Sequence, residues 1–265
     1  MPDVVVNGAR YHFDDTGGGP EAVVFGHGLL WSGAMFAPQV EALRGRYRCV
    51  TFDFRGQGRS EVTERGYGMD ALYDDVSKLV DHLGLERFHY VGLSMGGFIG
   101  LRFALRQPAR LRSLTLLDSA GDAEPWANRP KYRAMALVAR ALGFKPLLGP
   151  ISKIMLGAST LADRPRTAAL QAELAKVDIL GATRATIGVV ERPSLMAELG
   201  RTSTPTLVLH GEEDRAIVPA RARATAARIP GAQVVLVPRA GHSSSLENPE
   251  GVTAALRDFL AAHAD

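Results

Sequence analysis

Short apolar runs of strand length alternate with longer amphipathic stretches through the first half of the chain. Residues 4–6 and 10–13 flank Asn7-Gly8, a pair that tolerates positive φ, so a hairpin is predicted there. Further β-branched or aromatic runs follow at 22–25, 48–52, 88–93 and 111–117. Between them lie helix-like stretches at 33–43, 69–83 and 95–106. In the second, Leu72, Val76, Leu79, Val80 and Leu83 fall on one face at helical spacing. Strand, helix, strand at this rhythm predicts a parallel sheet covered on both sides.

The rhythm breaks near Ala120. From 122 to 199 no strand run is visible, only helical pieces interrupted by Pro130, Pro146, Pro150, Pro165 and Pro193. Strand patterning resumes at 206–209 and 233–237, with a helix-like stretch between them and another closing the chain at 249–263. The expected organisation is a βα core (1–121 and 200–265) interrupted by a helical insertion (122–199). Thr16-Gly17-Gly18-Gly19 reads as a turn.

Composition narrows the class. In 265 residues, 46% are hydrophobic and 22% charged, which excludes disordered and collagen-like chains. The net charge of +3 is spread out. Its densest basic stretch, 102–112, reads as a helix and strand with a solvated face, so no nucleic-acid partner is expected. A lone cysteine, Cys49, excludes an intrachain disulfide and sits in an apolar run as a buried small hydrophobe. The longest uncharged stretch, 22–40, holds three glycines, a proline and a histidine, so it reads as strand, loop and helix rather than a membrane span. The start Met-Pro-Asp shows no basic region ahead of an apolar core. A soluble cytoplasmic protein without a signal peptide is the expectation.

The chemistry centres on Gly92-Leu93-Ser94-Met95-Gly96-Gly97, which follows a strand and opens a helix. Gly-x-Ser-x-Gly alone is a weak signal, and its context makes it specific. A nucleophile on a tight strand-to-helix turn has a strained backbone, and side chains two residues either side would collide. The helix N-terminus beneath Ser94 favours negative charge developing there. A serine needs a base, and the base an orienting acid. His210-Gly211-Glu212-Glu213-Asp214 follows one late strand and Gly241-His242 the next, giving the order Ser94, Asp214, His242. In a parallel sheet these loops open on one edge, where they can meet. Glu212, Glu213 and Asp118 compete with Asp214, Asp118 being the runner-up. His82, His89 and His263 read as surface or packing residues, His210 as structural, and His27 as misplaced for the base. No His-Glu-x-x-His or Cys-x-x-Cys spacing points to a metal.

Together these segments resemble the α/β-hydrolase superfamily: His27-Gly28, Asp53-Phe54-Arg55-Gly56-Gln57-Gly58-Arg59-Ser60, the serine elbow, 211–219 and Gly241-His242. The resemblance covers essentially the whole chain except the insertion. It implies an α/β fold, with a mostly parallel eight-stranded sheet, helices on both faces and a helical cap inserted after the sixth strand. It further implies an oxyanion hole made by the backbone N–H groups of Leu29 and Met95. Asp53 and Arg55 would hold a sharp structural turn.

The expected function is hydrolysis of a small-molecule carboxylic ester or lactone through an acyl-enzyme on Ser94, without a cofactor. Serine at this position disfavours the epoxide hydrolase and dehalogenase branches, which resemble this fold with aspartate there. The elbow is similar to those of enol-lactonases and cofactor-free esterases with perhydrolase side activity, although Leu30 stands where the perhydrolase-like members usually have proline. Carbon–carbon bond hydrolysis of ring-cleavage products is the alternative within the fold, and a non-catalytic ligand-binding protein the alternative from another class. An acidic substrate would need a cation, for which the insertion offers Arg129, Lys131, Arg133, Arg140 and Arg184 among others. Apolar residues of the insertion mostly read as packing, with Trp31, Trp126, Met135 and Leu142 expected to contact substrate beside Leu29. Oligomeric state is not legible.

Overall fold

A computed structural model describes residues 3–264; Met1, Pro2 and Asp265, at the ends of the expected core, lie outside them. Eight strands form one sheet in the order β1-β2-β4-β3-β5-β6-β7-β8. They are β1 (Asp3–Val6), β2 (Ala9–Asp15), β3 (Ala22–Gly26), β4 (Arg48–Phe52), β5 (Phe88–Leu93), β6 (Leu111–Leu117), β7 (Thr206–Gly211) and β8 (Gln233–Val237). The β1–β2 hairpin turns at Asn7-Gly8, both at positive φ, and β2 joins β4 antiparallel; every other pairing is parallel.

Alternation along the strands builds two cores. Val24, Val50, Tyr90 and Leu114 face one way, against α2 (Met69–His82), α3 (Met95–Arg106) and α9 (Pro219–Ala226). Val23, Phe25, Cys49 and Val91 face the other, against α1 (Ala37–Leu43) and α11 (Pro249–Ala262). This is the two-sided burial expected of parallel strands. Cys49 is buried, and burial pushes its thiol up to about 12.

Between β6 and β7 the chain forms only helices: α4 (Arg129–Leu142), α5 (Leu148–Met155), α6 (Ala158–Ala162), α7 (Arg164–Leu174) and α8 (Ile179–Val190). Each interrupting proline sits at or near a helix start, where its missing N–H costs nothing, except Pro193, which follows α8. The short α10 (Ser244–Glu247) precedes α11. Among the described residues no helix is long and apolar enough to cross a membrane.

Two expectations need correction. The basic stretch 102–112 is not uniformly solvated: Arg102 is fully buried on α3, its Nε donating to Asp70 at 2.8 Å and its Nη1 to the Phe98 carbonyl at 2.9 Å. A long aliphatic stem lets an arginine cover apolar surface while its head finds a partner at the rim. Nor does the Arg55 guanidinium close the turn it belongs to. The carboxylate of Asp53 braces that turn, accepting from Gly33 N and Arg59 N at 2.8 Å each. Arg55 instead reaches α2, donating twice to Asp75 Oδ2, which also accepts from the Tyr11 hydroxyl.

The Arg55–Asp75 pair is buried at both ends. Asp75→Ala would leave the guanidinium uncompensated, so a loss of about 3–5 kcal/mol is expected. Urea unfolding should show a lower midpoint at unchanged slope; an unchanged midpoint would contradict this role.

Candidate active site

Strand β5 ends directly beneath Ser94, which sits at φ 49° and ψ −107° as α3 begins. That left-handed backbone is costly for a serine and persists only where the surroundings fix it. A Cβ on Gly96 would overlap the carbonyl of Gly26 on β3, and one on Gly92 would overlap the backbone of Gly96. The helix therefore lies directly on the strands, and Ser94 is thrust out at the sheet's carboxyl edge.

The structure brings Ser94, His242 and Asp214 into one hydrogen-bonded chain. His242 Nε2 lies 2.9 Å from Ser94 Oγ, and its Nδ1 lies 2.8 Å from Asp214 Oδ2. A carboxylate accepts, so Nδ1 carries the proton and Nε2 is left to accept from the serine. Burial alone would push the imidazole down; the charge and hydrogen bond of Asp214 outweigh it, and His242 stands above its ordinary value. Burial disfavours the charge of Asp214, yet His242 and His210 together hold its carboxyl below the usual range. Its Oδ1 accepts from Ala216 N and Ile217 N at 2.8 and 3.0 Å.

The competing acids do other work. Asp118 makes no hydrogen bond to His242; it accepts from Gly211 N and Ser244 N, stitching the end of β7 to α10. Glu212 is exposed, and Glu213 accepts from the Ser159 amide and hydroxyl. His210 donates through Nε2 to the Ile217 carbonyl at 2.6 Å and lies 3.2 Å from Asp214. His27 braces its loop: its Nδ1 donates to the Gly28 carbonyl and its Nε2 accepts from Phe54 N. His89 is buried between Ser113 and Glu21.

The loop after His27 runs alongside the elbow. Gly96 N donates to the His27 carbonyl at 3.1 Å, and a Cβ on Gly28 would touch Ser94. Leu30, at φ 68°, donates its N–H to Gln57. The N–H groups of Leu29 and Met95 have no acceptor among the described residues, leaving two donors beside the serine.

A cavity of about 70 Å³ opens at Ser94 and His242, walled by Leu29, Phe98, Tyr132 and Arg192 among others. A second of about 70 Å³, almost wholly apolar, shares Leu29, Tyr132, Ile154 and Met155 with it. A larger hollow, about 770 Å³, is a groove between residues 64–71 and helices α4 and α8, and it reaches neither Ser94 nor His242.

Met135 lines the apolar cavity, but three expected contacts do not reach either one. Trp126 is 83% exposed in the turn before α4. Leu142 is 70% exposed; it shares a helix face with Met135 seven residues earlier but ends α4, and Phe144, past the turn at Gly143, closes the wall instead. Trp31 is buried, donates Nε1–H to Ser243 Oγ at 3.1 Å, and borders an outer groove. Sequence reasoning missed Glu124, Tyr132 and Arg192, which no spacing distinguishes from surface polar residues. It also missed Glu247, whose only signal is an acid five residues after His242.

Glu247 binds the helical segment to the histidine loop. Its Oε1 accepts from Gly241 N and Ser243 N, either side of His242, and its Oε2 from Gly157 N. A Cβ on Gly241 would overlap the Gly157 backbone, so the two chains touch there. Glu247→Gln weakens at least one acceptor contact, for an expected cost of about 1–3 kcal/mol. Thermal unfolding should move down by several degrees and the Gly157 amide should exchange faster; unchanged exchange would contradict the tie.

The family model described as alpha/beta hydrolase fold matches residues 21–249. A Caulobacter protein named "Putative carbamate hydrolase RutD" is 31% identical over 266 residues, covering 96% of each chain. An esterase structure from Thermogutta terrifontis superposes with a TM-score of 0.93 at 30% identity over the full length of both chains. An enol-lactonase structure from Burkholderia xenovorans LB400 gives 0.90 at 30% identity, covering 98% of this chain and 100% of its own.

Proposed function

The chain belongs to the α/β-hydrolase family, and from that premise we propose that it is a serine hydrolase of carboxylic esters or lactones. The observation that carries this reading is the hydrogen-bonded chain from Ser94 through His242 to Asp214, set beside two unengaged backbone donors.

In this reading Ser94 Oγ attacks the substrate carbonyl while His242 Nε2 takes its proton. The N–H groups of Leu29 and Met95 hold the oxyanion, a contribution worth about 3–4 kcal/mol per donor in comparable sites. Protonated His242 gives its proton to the leaving alcohol, and the acyl group stays on Ser94. Water, activated by the same histidine, releases the acid. Asp214 fixes the imidazole tautomer and stabilises its cation. Every proton passes through His242, taken from Ser94 or water and given to the leaving alcohol or back to Ser94, so the scheme calls on no cofactor. Residues 122–199 act as a cap on the core, since Tyr132, Ile154, Met155 and Arg192 wall the cavity at the serine. The relatives' name favours carbamates as a second substrate reading: the same attack on a carbonyl would expel an amine or ammonia, protonated by His242, instead of an alcohol.

The test is p-nitrophenyl acetate and butyrate hydrolysis beside Ser94→Ala. A burst matching enzyme concentration followed by turnover is expected, with kcat/KM falling by roughly 10⁴-fold or more in the variant. Ester hydrolysis that survives Ser94→Ala would overturn the assignment.

The same scheme sets a pH dependence. His242 must be neutral to accept a proton, and its raised value means it stays protonated to higher pH than an ordinary imidazole. Activity should therefore be absent in acid and rise through a midpoint above about 6.5. Asp214→Asn removes the charge that raises it, so any residual activity should rise at lower pH. A midpoint that stays put in that variant would count against Asp214 as its cause.

A further inference from the structure

We propose that Glu124, Arg192 and Tyr132 form a subsite for an uncharged hydrogen-bonding group, selecting neutral substrates that carry an amide-like function beyond the scissile carbonyl over half-esters of dicarboxylic acids. This deepens the hydrolase reading and rests on it.

The first observation is how the only guanidinium among the described residues lining the cavity at Ser94 is occupied. Arg192 is 3% exposed and lies over the Phe98 ring at 4.2 Å. Its Nε donates to the Asp122 carbonyl, its Nη1 to the Val189 carbonyl, and its Nη2 to Glu124 Oε2 at 3.3 Å. Glu124 is 7% exposed, lines the same cavity, and accepts from Asn128 through its other oxygen. The pair presents no net charge to the cavity. A substrate carboxylate would lose its hydration there, face Glu124 at like sign, and find its counter-ion already engaged.

Of the cations that sequence reasoning offered for an acidic substrate, Lys131 lies over the Tyr132 ring, 4.6 Å from its centroid, and does not line the cavity, while three others lie elsewhere. Arg133, Arg140 and Arg184 line the outer groove and not the cavities at the serine. Arg133 pairs with Glu191, and Arg184 donates to the Thr63 carbonyl.

The second observation is Tyr132, which walls both small cavities. Its hydroxyl has no hydrogen-bond partner among the described residues. Burial, reinforced by Glu124, pushes it up to about 12, so it remains a neutral donor and acceptor. An amide matches this wall in both senses, offering N–H to Glu124 and C=O to Tyr132 or a guanidinium N–H. A carboxylate only accepts. The neighbouring apolar cavity takes the hydrocarbon limb.

The experiment compares methyl esters built on succinic, glutaric and adipic skeletons whose far end is a primary amide, a carboxylate or a methyl group. The length series finds the span from Ser94 to the subsite. The best amide-ended ester should exceed the best carboxylate-ended one by about tenfold or more in kcat/KM, the scale of one well-made polar contact. Glu124→Gln should raise the carboxylate-ended esters relative to the amide-ended ones. Tyr132→Phe should lower the amide-ended esters about tenfold more than the methyl-ended ones, and serves if Glu124→Gln does not fold. A wild-type preference for the carboxylate, or a Tyr132→Phe effect equal on all three, would overturn the subsite. Calorimetric binding of the same esters to Ser94→Ala reads the preference without turnover. The amide-ended ester should bind tighter there too, and equal or carboxylate-favoured binding overturns the subsite whether or not the chain proves to be a hydrolase. Loss of p-nitrophenyl ester hydrolysis bears on the hydrolase reading alone.

Discussion

The contact between Gly96 at the start of α3 and the Gly26 carbonyl at the end of β3 sets the geometry on which the candidate site depends. Because helix and sheet meet there without side chains between them, the turn has no room to relax, and Ser94 is held at a backbone conformation it would not choose. The strain is localised at a point where β3, β5 and β6 converge: Ser94 N donates to the Leu117 carbonyl, Gly96 N to that of His27, and Ser119 Oγ to that of Ser94. Three neighbouring strands thus fix one residue. Leu30 and Asp118, on loops that leave two of these strands, are also at positive φ. Left-handed non-glycine residues gather at this edge of the sheet, where the backbone is bent to deliver groups rather than to continue a ladder.

A second layer of order comes from buried carboxylates that accept backbone N–H groups instead of pairing with surface cations. Asp118 joins β7 to α10, Asp214 organises the turn after β7, and Glu247 joins the His242 loop to Gly157. Each would be costly to bury alone, and each is offset by directional N–H donors. The consequence is positional. The groups on which the proposed chemistry rests come from loops far apart in sequence, and such loops are ordinarily mobile. Here their ends are fixed by acids that cannot be moved without leaving buried donors unmet.

How much of this was legible depended on whether the cause was local. Period-two and period-3.6 patterns disclosed the strands and core helices because a two-sided sheet imposes them residue by residue. The elbow was legible because Gly92, Ser94 and Gly96 meet within one turn of chain. The acid beside His242 was narrowed by position, and burial then separates Asp214 from the exposed Glu212 beside it. What failed was everything set by how a helix is turned. Leu142 and Met135 share a face, yet α4 runs past the cavity before Leu142 is reached. Trp126 looks like an anchor by its size and is exposed. Arg102 and Arg192 look like their solvated neighbours but are buried against partners 32 and 68 residues away in sequence. No single-sequence pattern encodes those encounters.

Charge balance near the serine then bears on what the pocket rewards. Asp214 accepts from His242 Nδ1–H and Glu124 pairs with Arg192, so the charged groups at the cavity are engaged in two pairs. Electrostatic complementarity to an anion would require one of these pairs to open, and both are held by further hydrogen bonds, to Ala216 and Ile217 in one case and to Asp122, Val189 and Asn128 in the other. Opening either would leave a buried ion unmatched, which costs more than a single new contact returns. The basic surplus of the chain does not alter this, because Arg133, Arg140 and Arg184 line the outer groove and not the cavity at Ser94. Selectivity in such a pocket falls to hydrogen-bond geometry and to the shape of the apolar wall, both of which are set by the helices between β6 and β7.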